Sequence, residues 1–229
     1  MADTRTAAKA RGGLAPSGDV DLCGRPKEAF RRLWGTLFYS GRAAGKTVMV
    51  CSAERSDAAP RTACGLATAG SELGGAARVA LLDLDLRSPR IHRLLHAARL
   101  PGVAEVVTGA CSLVAAARYV RPGLDVFPAG DVAGREEQIL VSDRLATFVA
   151  DVSAEYDYVL ATAARVTHYP DAQILAGLLR QVLIVSDPAE EARRAAGKAR
   201  KLLERAGGRS AGVVICSSPA PQEPTDTDG

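Results

Sequence analysis

The chain has 229 residues, 47% of them hydrophobic and only 4% aromatic, a balance that suits one globular domain with polar tails and excludes a fibre. Its 29 Lys and Arg against 26 Asp and Glu leave a net charge of +3, scattered in both signs, so no nucleic-acid partner is supported. Only Lys9, Lys27, Lys46, Lys198 and Lys201 are lysines, and the gap from Lys46 to Lys198 excludes chemistry that needs a central lysine, such as a Schiff base or a phosphate-gripping P-loop lysine. No apolar run reaches the roughly 18 to 20 residues that span a bilayer, and no apolar leader follows Met1, so a cytoplasmic chain is expected. The cysteines, Cys23, Cys51, Cys64, Cys111 and Cys216, are odd in number and widely spaced, with no C-x-x-C pair. They imply neither a zinc site nor a disulfide framework and are expected in the core.

Residues 1–26 and 217–229 lack hydrophobic period and read as disordered tails flanking one domain over 27–216. Phe30, Leu33, Trp34, Leu37 and Phe38 make a helical stripe, 48–51 is a short buried-strand run, and 62–73 reads as a helix. A second strand, 79–82, ends in Asp83-Leu-Asp85; further strands are predicted at 124–127, 158–161, 182–185 and 211–215, with helical stretches between them. This rhythm predicts an α/β fold with a doubly wound, mostly parallel sheet. Helix 190–206 buries its Ala and Leu stripe and turns Arg193, Arg194, Lys198, Arg200, Lys201 and Arg205 outward, a solvated face or a surface for an acidic or phosphate partner. Ligands of such sheets bind beyond the carboxyl ends of the strands, here the loops 53–61, 83–90, 128–135 and 162–171. His92 and His96, four apart on a predicted helix, have metal-pair spacing without a third ligand nearby and read as helix surface; His168 has no assigned role.

Five segments occur in order: Glu28-Ala-Phe-Arg31-Arg-Leu; Val48-Met-Val-Cys-Ser-Ala53; Leu81-Leu-Asp83-Leu-Asp85-Leu-Arg87-Ser-Pro89-Arg90-Ile-His92; Gly123-Leu-Asp125-Val-Phe-Pro128-Ala-Gly130; and Glu155-Tyr-Asp157-Tyr-Val159. In these the chain resembles the bacterial protein-tyrosine kinases of capsule and exopolysaccharide export, a branch of the P-loop family that includes the ParA and MinD ATPases. The resemblance covers residues 27–216 and implies a P-loop NTPase-like fold. It matches Asp83, Asp85 and Arg87 to the aspartate block that helps position magnesium and its waters around a nucleotide. Carboxylates at the mouth of a strand can hold a hard cation through water; the other reading makes them capping and structural residues.

The rest of the implied nucleotide site departs from the family pattern. The family follows its first strand with Gly-x-Gly-Lys-(Ser/Thr), whose backbone N–H groups and lysine cradle phosphates. Here the aligned loop is Glu54-Arg55-Ser56-Asp57-Ala58-Ala59-Pro60-Arg61. Ser56 and Ala58 stand for the glycines, Ala59 for the lysine and Pro60 for the magnesium-binding hydroxyl, and Pro60 also deletes an N–H donor. Two or three lost charge-assisted hydrogen bonds, at about 1.5 to 3 kcal/mol each, weaken nucleotide binding on the order of a hundredfold to a millionfold. The string Gly41-Arg-Ala-Ala-Gly45-Lys46-Thr47 is one residue short of a P-loop and precedes the first strand, so it reads as a turn. Thr162 stands where the family carries its Walker B aspartate, and no tyrosine follows Cys216. The family's ring-forming helix pattern keeps Glu28 and Arg31 but has Trp34 in place of its last arginine, either a hydrophobic partner contact or a core residue.

The resemblance and its gaps together imply a pseudokinase that regulates capsule or exopolysaccharide assembly by binding a membrane polysaccharide co-polymerase or an active tyrosine kinase. The chain would reach the inner face of the membrane through that partner, with self-association open. No cofactor is expected. The alternatives are an active ATP-dependent tyrosine kinase or ATPase that uses Asp83 and Asp85 with magnesium and a non-standard phosphate loop, and a ParA- or MinD-like positioning protein whose basic helix touches DNA or lipid.

Overall fold

The computed structural model describes residues 27–39, 45–54 and 57–216; both tails read from the sequence, Cys23, Arg55 and Ser56 lie outside the described residues. The chain enters through α1 (Lys27–Trp34), which continues as a π-helical turn (Gly35–Tyr39), and passes into β1 (Thr47–Ser52), α2 (Ala58–Leu73) and β2 (Val79–Leu84). Short helices α3 (Ile91–Leu94), α4 (Val103–Thr108) and α5 (Leu113–Ala116) lead to the paired strands β3 (Arg118–Arg121) and β4 (Leu124–Phe127). Then come α6 (Glu136–Leu140), α7 (Asp143–Glu155), β5 (Tyr158–Ala163), α8 (Asp171–Leu179), β6 (Gln181–Ser186), α9 (Glu190–Arg205) and β7 (Arg209–Ile215).

The described strands form a seven-stranded sheet in the order β3-β4-β2-β5-β1-β6-β7. All pairings are parallel except β3 with β4. Strand sequences such as Val-Met-Val-Cys are apolar throughout because each strand serves two cores, sending alternate side chains to opposite faces. Val48 and Val50 of β1, with Val79 and Leu81 of β2, join α1, α2 and Ile91 on one face. Met49, Cys51, Ala80, Leu82 and Leu84 join α4 to α9 on the other. The sheet is therefore covered on both sides, a doubly wound arrangement.

Close helix contact explains two glycines inside α2. A Cβ on Gly65 would lie 2.6 Å from the Phe30 ring, and one on Gly70 would lie 2.3 Å from Trp34. Trp34 is fully buried. It packs on Phe38 at 4.3 Å and Tyr158 at 5.1 Å between ring centroids. Its placement is thus the core one, and it offers no surface for the partner contact that the sequence left open. Glu28 and Arg31 remain at the surface, but Arg31 is held within the chain, donating to Glu72 at 3.1 Å. Glu72 also pairs with Arg121 at 3.1 Å, tying α1, α2 and β3 together.

Each strand expected from the sequence lies inside an observed one. β3 was not expected, because Arg-Tyr-Val-Arg is a partly exposed edge strand without an apolar run. The helix expected from 62 starts instead at Ala58: Pro60 sits in its first turn, where the missing N–H has no intrahelical acceptor. The helix expected to carry both His92 and His96 is a single turn. His96 lies beyond it at φ 51°, so the two do not share a helical face.

Candidate functional site

The carboxyl ends of β2, β5 and β1 lie side by side, with β5 in the middle. Asp83 is directly opposite Thr162 in the register, and Thr162 is opposite Val50 on its other side. Beyond β5 the chain keeps pairing with the exit of β1: the Val166 N–H donates to Ser52 at 3.1 Å, and the Thr167 N–H and Oγ1 donate to the Ala53 carbonyl at 3.2 and 2.6 Å. One rim therefore gathers the start of α2, the aspartate block and Thr162.

Asp83 ends β2 with a carboxylate only 1% exposed. Its Oδ2 accepts the Arg90 and Ile91 N–H groups at 3.0 Å each, and its Oδ1 accepts the Thr162 hydroxyl at 2.9 Å. Burial still pushes its carboxyl up to about 7; the Ile91 N–H and Thr162 hydroxyl oppose this, Asp85 adds to it, and the Arg90 N–H opposes it. Asp83 thereby anchors the loop that follows β2.

Asp85 accepts the Ser88 N–H at 3.0 Å. Its carboxyl is also raised, first by burial and further by Asp171, against the Ser88 N–H, Arg90 and Arg165. Arg87 turns away from both aspartates: it donates to Asp171 through Nε at 3.0 Å and Nη2 at 3.3 Å, and to Glu137 at 3.1 Å. Its guanidinium also lies 4.9 Å from the Tyr169 ring centroid. Asp171 is fully buried at the start of α8, so this fork is a shielded ion pair that joins the aspartate block to α8. Neither Asp171 nor Glu137 was singled out as a site residue, because their partner lies 84 and 50 residues away in the chain.

At the start of α2, Ala58 and Ala59 are 8% and 3% exposed and belong to the apolar core under that helix. Asp57 precedes them without capping the helix and pairs instead with Arg90. The Arg61 N–H reaches the Asp57 carbonyl at 3.4 Å. Lys46 immediately precedes β1, at the opposite end of the strand from this rim, so the Gly45-Lys46-Thr47 string lies far from the strand-end loops. Cys51 is buried in β1, and burial pushes its thiol up to about 12, which removes it as a nucleophile. Among the described residues no group of three or more His, Cys, Asp or Glu is arranged to hold a metal ion, and no helix is long and apolar enough to cross a membrane.

No family model matches the chain. It is 23% identical over 140 residues to CapB of Staphylococcus aureus, named as a tyrosine-protein kinase, covering 61% of each chain. It is 25% identical over 171 residues to the tyrosine-protein kinase YwqD of Bacillus subtilis, covering 74% of this chain and 71% of that one. EpsB of Ralstonia solanacearum matches at 28% over 165 residues, 69% of this chain but 21% of EpsB, so the chain spans only part of the length of several relatives. Among solved structures, the chimerical protein CapA2B2 superposes with a TM-score of 0.78 at 20% identity over 84% of both chains. The kinase domain of VpsO superposes with 0.77 at 21% identity over 84% of this chain and 96% of that one. This chain has the fold of the bacterial tyrosine-kinase domains. The cell-division ATPase MinD of Pyrococcus furiosus, with a TM-score of 0.63 at 19% identity over 75% and 71% of the two chains, extends the likeness to the P-loop ATPases. Within the tyrosine-kinase fold, the rim described above is the strand-end position where open α/β sheets bind ligands.

Proposed function

We propose that this chain is a non-catalytic relative of the bacterial tyrosine kinases, acting through a partner rather than on a nucleotide. The observation that carries this reading is Ala59. It stands where the resemblance expects a lysine, and it is 3% exposed inside an apolar core. Pro60 beside it has no N–H to offer a phosphate. Thr162, at the expected carboxylate position, gives its hydroxyl to Asp83 instead. Among the described residues the rim does not fit a nucleotide and magnesium pair: none of their lysines is near these strand ends, and Arg87 and Arg90 are committed to Asp171 and Asp57.

By resemblance, the partner is the cytoplasmic part of a membrane polysaccharide co-polymerase or an active tyrosine kinase, and the process is the regulation of capsule or exopolysaccharide assembly at the inner face of the membrane. Titration of the full chain with ATP and magnesium by calorimetry tests the nucleotide half of this reading. The expected result is no binding heat up to about 1 mM. A Kd at or below about 100 μM that Asp85→Ala abolishes overturns it in favour of an active enzyme.

A further inference from the structure

The segment that leaves the rim after β2 folds around a cavity of about 590 Å³, in the range of small-molecule pockets. Arg87, Arg90, Arg93 and Arg99 line it together with His92 and Leu94, and no carboxylate does. Two of these guanidiniums are engaged, Arg87 with Asp171 and Glu137 and Arg90 with Asp57. The other two are not tightly held. Arg99 reaches only Asp131, at 3.9 Å with both side chains more than half exposed. The Arg93 side chain has no hydrogen-bond or ion-pair partner among the described residues. His92 adds an unsatisfied polar atom: its Nδ1 is shielded from solvent without a hydrogen-bond partner. Burial, then Arg93, then Arg99 hold its imidazole below the usual histidine value, as expected beside uncompensated positive charge.

Guanidinium forks match tetrahedral oxyanions, and a dianion compensates two of them at once. The cavity is larger than a bare phosphate needs, and Leu94 and Pro89 provide an apolar wall. We propose that this cavity binds a phosphate monoester, its dianionic head between Arg93 and Arg99 and its organic part along Leu94 and Pro89. The inference does not depend on the nucleotide reading above. ATP binding that Asp85→Ala abolishes and that Arg93→Ala and Arg99→Ala leave unchanged bears on that reading alone, whereas ATP binding lost in the two arginine variants belongs to the cavity.

O-phosphotyrosine, AMP and inorganic phosphate can be titrated separately into the full chain while NMR follows the His92 imidazole. Binding of either ester is expected to raise the His92 titration midpoint, and the tighter ester names the source of the ligand. Arg93→Ala and Arg99→Ala alter exposed side chains that the fold does not need, and each is expected to weaken ester binding by about tenfold or more. His92 unmoved by both esters up to about 10 mM, or both variants binding as the wild type does, overturns the proposal. Inorganic phosphate binding as tightly as both esters also overturns it, since the organic part then has no site.

Discussion

Asp83 is held by three hydrogen bonds and yet is costly to ionise, because full burial removes the water that would stabilise its charge. With the folded carboxyl at about 7 and the ordinary value at 3.8, the folded chain binds the extra proton between these limits. The contribution of Asp83 to stability is therefore complete below about 4, declines as pH rises through 7, and is flat above. Asp83→Asn keeps an acceptor for the Arg90 and Ile91 N–H groups without the charge. Relative to wild type, the variant should gain about 2 to 3 kcal/mol between pH 5 and pH 8, read from urea unfolding. A stability difference that does not change with pH refutes the assignment. Asp83, Asp85 and Arg87 were legible because Asp-x-Asp-x-Arg follows a buried run. Their partners were not: Thr162 meets Asp83 only through sheet register, and Asp171 meets Arg87 only once α8 has packed.

At the scale of elements, α2 shows why small residues recur along one helix. Gly65 and Gly70 let Phe30 and Trp34 of α1 lie against its backbone. Gly70→Ala gains about 1 kcal/mol of helix propensity but forces a methyl into a tryptophan ring that is fully buried and has nowhere to move. The expected net effect is a loss of about 1 to 2 kcal/mol in urea unfolding. Gly197 in α9 meets nothing within 4 Å. There the same substitution should stabilise by about 0.5 to 1 kcal/mol. Equal effects at the two sites would show that packing on Trp34 does not decide the matter. Helix α9 itself was readable from its period, with Ala195, Ala196, Ala199 and Leu203 buried and its basic residues exposed. Its charges are partly spent on its own acids, Arg194 with Glu190 at 2.6 Å and Arg200 with Glu204 at 2.7 Å, as expected of a solvated face. Helix α2 begins four residues before the expected 62, and Pro60 in its first turn costs no hydrogen bond.

For the molecule as a whole, one sheet is the floor of both cores, so neither face can lose its helices without exposing strands that the other needs. Trp34, the single tryptophan, reports the face under α1 and α2, whereas far-UV circular dichroism reports helices on both faces. The two signals should give the same urea midpoint; separate midpoints would mean that the faces unfold independently. The amino-acid sequence by itself determined the α/β class, the positions of six strands, the basic face of α9 and the aspartate block, because each is written in local period or in adjacent residues. Only the tertiary structure decided strand order, the edge strand β3, the burial of Trp34 and Ala59, and the ion pairs that occupy Arg87 and Arg90. These depend on contacts between residues distant in the chain, which local pattern does not encode. The arginine-lined cavity belongs with them: its residues are near neighbours in sequence, but its positive character follows from which guanidiniums the rest of the fold leaves without a close partner.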